Sequence, residues 1–269
     1  MIEHGGSTLT VAPGGATALD VSRATVIYRN GHLALKQATF AIPRGVIAGL
    51  VGVNGSGKST LFKSIMGFIT LASGEISVMG HPPAKALKRH LVSYVPQSEE
   101  VDWNFPVLAE DVVMMGRYGH MGMMRIARQA DRDAVACALE RVGMSGLRKR
   151  QIGELSGGQR KRVFLARAIA QDGQLILLDE PFTGVDLKTE KQIVTLLRSL
   201  RDEGRTILVS THNLGSVPTF CDMTVLVKGT VMACGPTREI FTRSNIERAF
   251  DGALHQLAWD DNLLTPEAR

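Results

Sequence analysis

Apolar residues recur along this chain in two rhythms, and the switches between them outline its elements. From Leu19 to Ile42 the run DVSRATVIY, a turn at Asn30-Gly31 and the run HLALKQATFAI predict two antiparallel strands. After a Pro43-Arg44-Gly45 turn, Val46–Val51 is continuously apolar, the pattern of a strand buried on both faces, and Lys58 to Gly67 reads as a helix. Short strands are predicted at Gly74–Gly80 and His90–Val95. From about Pro106 to Gly146 the chain is rich in Met and Ala, dotted with Arg and poor in strand formers, which predicts a mainly helical insert of two or three helices. Helical spacing resumes after Ser156 and runs to Ala170. LILLD at Leu175–Asp179 is a second buried strand, a helix is expected from about Lys188 to Glu203, and TILVS at Thr206–Ser210 is another apolar strand. TVLVKGTVMACG, residues 224–235, predicts an edge hairpin. Strands alternating with helices predict an α/β domain with a mostly parallel sheet covered on both faces.

Composition adds limits rather than detail. The 269 residues suffice for one large domain or two lobes around a packed core. Residues 1–17, rich in Gly, Ala and Thr, are expected to be a flexible tail, 18–250 the folded domain with the helical insert at about 100–155, and 251–269 a C-terminal tail. Lys and Arg outnumber Asp and Glu by 31 to 26 and are spread along the chain. The densest groups, Arg148-Lys149-Arg150 and Arg160-Lys161-Arg162, read as solvated helix faces, so no nucleic-acid partner is expected. Cys137, Cys221 and Cys234 are widely spaced without a CxxC pair, which suggests neither a disulfide framework nor a zinc site and suits a reducing cytoplasm. The N-terminus lacks a basic start followed by an apolar stretch, so no signal peptide is expected. The longest apolar runs, such as Val46–Val53, fall far short of the ~20 residues that span a bilayer, and any membrane role is expected to be peripheral.

The chemistry lies in a few short stretches. Gly52-Val53-Asn54-Gly55-Ser56-Gly57-Lys58-Ser59-Thr60 matches G-x-x-x-x-G-K-[ST] and sits between a buried strand and a helix, where backbone N–H groups can cradle phosphates. Lys58 is placed to reach the β and γ oxygens and the Ser59 hydroxyl to ligate Mg²⁺. LILLDE would deliver Asp179 to the metal, and Glu180 toward the γ-phosphate to orient or deprotonate a water. A second helix start, Ser156-Gly157-Gly158-Gln159, also presents backbone N–H groups and a helix dipole to an anion. Three single residues stay open between two roles. Gln97 could touch Mg²⁺ or water, or be an ordinary loop residue. His212 could bond the γ-phosphate, or be a satisfied structural histidine. Tyr28 could stack on a purine, or pack as strand tyrosines do. Strand ends on one edge of a parallel sheet converge on the ligand crevice, which favours the functional role for each.

The phosphate loop, Gln97, LSGGQ at Leu155–Gln159, LILLDE, Asp186 and His212 occur in the order of the ATP-binding cassette family, the motor subunits of ABC transporters, and the chain resembles that family over about residues 19 to 250. The resemblance implies a RecA-like, mostly parallel core with an antiparallel β-subdomain and a helical subdomain, ATP and Mg²⁺ as cofactors, and ATP hydrolysis. It implies a head-to-tail homodimer in which Ser156 and Gly158 of one copy contact the γ-phosphate held by the other, with Gly157, Gln159 and Asp186 at the same seam. Such an arrangement answers why one chain carries two anion-binding helix starts. It further implies two transmembrane permease subunits met by the helical insert, a periplasmic or lipoprotein metal-binding protein, and a peripheral place on the cytoplasmic face of the inner membrane. VDWNFPVLAEDVVMMGRYGHMGMMRI, DEPFTGVDLKTE and STHNLGSVPTFCD resemble importers of manganese, iron and zinc, most closely the manganese/iron branch. His120 with Met114, Met115, Met121, Met123 and Met124 could suggest metal ligation, but soft Met sulfur suits Cu(I) rather than Mn²⁺, and adaptable Met side chains suit a docking surface. A soluble cassette ATPase acting on DNA or ribosomes and a phosphate-loop kinase are the rival classes. The first usually fuses two cassettes or carries long coiled coils, and the second has no use for LSGGQ.

Overall fold

The computed structural model describes residues 16–97 and 105–250. Most of the expected N-terminal tail, the whole C-terminal tail and residues 98–104 at the start of the expected insert lie outside the described residues. In chain order the elements are β1 (Thr17–Ile27), β2 (Leu33–Pro43), β3 (Ile47–Val51), α1 (Lys58–Ile65), β4 (Ser73–Val78), α2 (Pro83–Lys88), β5 (Val92–Val95), α3 (Ala109–Met115), α4 (Gln129–Arg141), α5 (Gly157–Ala170), β6 (Leu175–Asp179), α6 (Leu187–Asp202), β7 (Thr206–Thr211), α7 (Val217–Phe220), β8 (Met223–Val227), β9 (Val231–Pro236), α8 (Thr237–Ile240) and α9 (Arg243–Phe250).

Two sheets result. β1 and β2 form the expected antiparallel pair, reversing through Asn30 and Gly31, where Gly31 supplies a φ of +82° that side chains resist. β4 pairs with the other side of β1, giving the order β2-β1-β4. The larger sheet has the order β5-β6-β7-β3-β8-β9, parallel throughout except for the antiparallel edge strand β9. IAGLV in β3 and LILLD in β6 are buried at every position, because helices or the smaller sheet cover both faces.

The period of two along each buried strand divides the core. Ile176, Leu178, Ile207 and Val209 point into a cluster with α3, α4, α5, α6 and α9. Leu175, Leu177 and Leu208 point the other way, against Leu61, Phe62 and Ile65 of α1 and Leu19, Phe40 and Ile42 of the antiparallel sheet. Register then aligns the strand ends. Val51 pairs with Thr211, Asp179 with Ser210, and Val95 with Leu178, so the chain leaves β3, β5, β6 and β7 along one edge.

Differences from expectation concern boundaries and short elements. α1 stops at Ile65 rather than Gly67, because Gly67 takes a φ of +68°. Among the described residues the insert holds two helices, α3 and α4, followed by single 3₁₀ turns at Ser145–Leu147 and Ile152–Glu154. α2 was not expected. It has six residues and starts with proline at its first position, where no N–H is needed. α7, α8 and α9 were also not expected, although Ile246, Ala249 and Phe250 form a buried stripe at helical spacing on α9.

Leu177 is fully buried on the central part of β6. We expect Leu177→Ala to lower unfolding free energy by about 2–5 kcal/mol, seen as a lower urea midpoint with an unchanged slope.

Candidate functional site

The phosphate loop leaves β3 and wraps back to open α1. Gly55 (φ +80°) and Gly57 (φ +105°) adopt conformations that Cβ-bearing residues rarely take. Gly52 has a different reason: a Cβ there would sit 2.2 Å from the Val227 carbonyl oxygen and 2.6 Å from Ser56 Oγ. The loop is held from outside by the β8–β9 hairpin tip. Gly229 N–H donates to the Ser56 carbonyl (2.8 Å), and the Gly229 carbonyl accepts from Lys36 N–H (2.7 Å). Nothing local in the sequence pointed to residue 229.

Lys58 is buried at the start of α1, its ammonium donating to the carbonyls of Gly52 (2.7 Å) and Val53 (3.1 Å). Burial pushes its pKa down, and the carboxylates of Glu180 and Asp179 oppose that shift. Ser59 follows on the first turn, and Thr60 Oγ1 shares a hydrogen bond of 3.0 Å with Tyr28 Oη. Tyr28 also stacks on His32 with ring centroids 6.3 Å apart, which places an aromatic face beside this turn. Ser56 Oγ is buried without a partner among the described residues. A glycine cradle, a buried ammonium at a helix N-terminus and an unsatisfied hydroxyl fit nucleotide phosphates.

Ser210 organises the end of β6. Its hydroxyl donates to Asp179 Oδ1 and accepts the Glu180 N–H at 2.9 Å. Both carboxylates are buried, at 4% and 7% exposure, so each depends on such partners. Glu180 takes a φ of +51°, a strained conformation for a residue with a Cβ. Its Oε2 accepts from Gln97 Nε2 (2.9 Å) and Thr183 Oγ1 (3.2 Å), while Oε1 lies 3.2 Å from His212 Nδ1. Gln97, Glu180 and His212, from the ends of three strands, therefore meet. Ser210 and Thr183 went unnoticed at the sequence level. Ser210 lies two residues before His212 in TILVSTH, and Thr183 lies inside DEPFTGVD. Ser59, Asp179 and the Gln97 side-chain carbonyl supply hard oxygen donors of the kind Mg²⁺ takes.

Ser156 caps α5 through a reciprocal box: Gln159 N–H donates to Ser156 Oγ (3.3 Å) and Ser156 N–H to Gln159 Oε1 (2.9 Å). Apart from its chain neighbours and its own helix backbone, no described heavy atom lies within 4 Å of where a Gly157 Cβ would be, so the helix start is open on that side. No hydrogen bond among the described residues joins Ser156–Gln159 to Gly52–Thr60. Gly157 does share with Gln97, Lys161, Asp179 and Glu180 the lining of a cavity of about 350 Å³. Asp186 is the N-cap of α6, accepting from Thr189 N–H (2.8 Å) and the Thr189 hydroxyl (3.0 Å), bonds that hold its carboxyl below the usual carboxylate range. In this arrangement both its oxygens are engaged within its own chain.

The basic groups are not simply solvated. Arg160 donates to the carbonyls of Ile152 (3.2 Å) and Gly153 (2.7 Å), and Arg162 to that of Val142 (3.3 Å). Arg148 and Lys149 pair with Glu110. His120 packs against His90 with ring centroids 4.9 Å apart and planes tilted by 34°, and meets the Gln171 carbonyl at 2.9 Å. No group of three or more His, Cys, Asp or Glu side chains able to hold a metal occurs among the described residues, and no described helix is long and apolar enough to cross a membrane.

A phosphate loop and a carboxylate pair at one edge of a parallel sheet, with a helical insert between β5 and α5, define an ATPase of the cassette type. The ABC transporter family model matches residues 35–183, and the chain belongs to that family. It is 59% identical over 89% of its length to the chelated iron transport system membrane protein YfeB of Yersinia pestis, covering 81% of that protein. It is 58% identical over 87% of its length to the manganese transport system ATP-binding protein MntA of Synechocystis, covering 90% of it. Among solved structures, a dimeric post-hydrolysis state of the ATP-binding cassette MJ0796 bound to ADP and Pi superposes with a TM-score of 0.70 at 26% identity, over 81% of this chain and 98% of that one.

Because the Gly52 Cβ would collide with the backbone carbonyl of Val227 as well as with Ser56 Oγ, Gly52→Ala should displace the loop. We expect at least about a tenfold loss of affinity for a fluorescent ATP analogue in equilibrium titration, equivalent to roughly 1.4 kcal/mol.

Proposed function

We propose that this chain is the ATP-hydrolysing subunit of a bacterial importer of manganese or iron. Two copies close head to tail on two ATP molecules beneath two transmembrane permease subunits, at the cytoplasmic face of the inner membrane. A periplasmic or lipoprotein metal-binding protein delivers the ion. The meeting of Glu180 with Gln97 and His212 at one sheet edge, next to the phosphate loop, carries the hydrolytic half of this reading. The similarity to an iron and a manganese transport protein supports the choice of substrate.

In the reaction, the glycine loop and Lys58 hold the β and γ phosphates, and Lys58 offsets negative charge as the terminal bond breaks. Ser59, Asp179 and the Gln97 side-chain carbonyl would hold Mg²⁺, which would supply charge neutralisation for the phosphates. Glu180 Oε1 or Oε2 accepts the proton of the attacking water, and His212 steadies that carboxylate and the γ-phosphate. Gln97 Nε2 now occupies Glu180 Oε2, so Gln97 has to turn away before that oxygen is free. Tyr28, beside α1, offers its ring to the adenine. Ser156, Gly157, Gly158 and Gln159 of one copy complete the other copy's site, with Asp186 at the seam. Without the γ-phosphate the N–H groups of Gly157 and Gly158 have nothing to hold, and the pair separates. Exposed Met115, Tyr118, Met123 and Met124 of the helical insert suit docking to the permease subunits.

Glu180→Gln should keep ATP binding, lose nearly all turnover and run as a dimer on gel filtration with ATP and Mg²⁺. A monomer under those conditions would contradict the shared site. Cells lacking the gene should lose uptake of labelled manganese or iron; retained uptake of both, with loss of zinc alone, would move the substrate assignment.

A further inference from the structure

Lys161 lies on α5 five residues after the Ser156 cap and shares a cavity lining with Glu180. Its ammonium donates to the Thr183 carbonyl. Thr183 in turn donates its hydroxyl to Glu180 Oε2 (3.2 Å), and its N–H closes a turn onto the Glu180 carbonyl (3.3 Å). Lys161 and Glu180 both line the cavity of about 350 Å³ that separates the first turn of α5 from the end of β6. One side chain thus crosses that gap. It is rooted in a helix packed through Val163, Leu165 and Ala166 into the core shared with the insert, and it ends on the loop that carries the strained glutamate. Burial lowers the pKa of Lys161, while the charge of Glu180 pulls it back up. The ammonium therefore lies where the glutamate's field reaches it.

We propose that Lys161 is a positioning residue that couples the two ATP sites of a dimer. A phosphate engaged by the start of α5 shifts that helix, and the shift passes through Lys161 and Thr183 to the carboxylate of Glu180 in the same chain's own site. This rests on the reading that α5 receives the partner copy's nucleotide. The physical requirement is a stiff link between two rigid elements. The link is short, with one ammonium-to-carbonyl bond and one hydroxyl-to-carboxylate bond, and the Glu180–Thr183 turn cannot slide independently of either. Thr183 and Gln97 share Oε2, so pulling Thr183 also changes how firmly Gln97 is held there. Occupying the neighbouring site in this way readies the base, and the two sites hydrolyse cooperatively.

Full-length Lys161→Met and Thr183→Val, singly and together, and Lys161→Arg test this by steady-state ATPase rates against ATP concentration. Own-site affinity is read separately with a fluorescent ATP analogue at protein concentrations too low for pairing. Lys161→Met should lower kcat about ten- to a hundredfold, the scale expected for misplacing a reacting group by about 1 Å. It should leave own-site affinity within about twofold and bring the Hill coefficient toward one. Thr183→Val should do the same, the double variant should be no worse than either single one, and Lys161→Arg should recover most of the rate. An unchanged kcat and Hill coefficient in Lys161→Met, additive losses in the double variant, or loss of thermal stability in step with rate without rescue by Arg would each overturn the coupling. A wild-type protein with a Hill coefficient of one whose Glu180→Gln form stays monomeric would overturn the underlying dimer reading instead.

Discussion

Everything at the nucleotide edge depends on one register. Asp179 pairs with Ser210 and Val51 with Thr211, so the loop after β3 and the residues after β6 and β7 emerge at the same height. Each strand is buried on both faces, and slipping by one residue would turn a whole row of Leu, Ile and Val to the wrong side. The hydrophobic alternation that fills two cores therefore also sets the spacing of a polar site. Ser210 makes this concrete, since a single hydroxyl in β7 touches both the Asp179 carboxylate and the Glu180 N–H.

That site is expensive in electrostatic terms and is arranged accordingly. Lys58, Asp179 and Glu180 are all buried, and a buried charge is tolerated only with partners. The ammonium leans on two loop carbonyls, and Glu180 is held by an amide and a hydroxyl with an imidazole beside it. The strained φ of Glu180 persists because the Ser210 bonds over-determine it.

α5 belongs to two neighbourhoods. Its first turn is open and polar, while its middle packs among α3, α4 and the sheet. A helix moves nearly as a rigid rod, so a load on the open end is felt further along it. In the proposed cycle Lys161 would carry such motion toward Glu180, and the exposed apolar side chains of the insert would carry it toward the permease subunits. Asp186 makes a similar junction at α6, where the cap that starts the helix also holds the residue beside the expected seam.

By itself the sequence determined the buried strands, the phosphate loop, the DE pair and the helix start capped by Ser156. These rest on local rules of periodicity, glycine conformation and capping, which need no distant neighbour. Short-range pattern was also enough to set the order of motifs that marks the family. It was not enough for α2, α7 and α8, whose four to six residues give a period too little length to show. Only the tertiary structure decided that Ser210 supports both carboxylates, that Thr183 and Gln97 share one oxygen of Glu180, that Gly229 braces Ser56 from a distant hairpin, and that Arg160 and Arg162 turn inward to carbonyls. Each is a contact between residues far apart in the chain or separated by a turn, and such contacts are chosen by sheet order and register, which act on side chains only once the strands have paired.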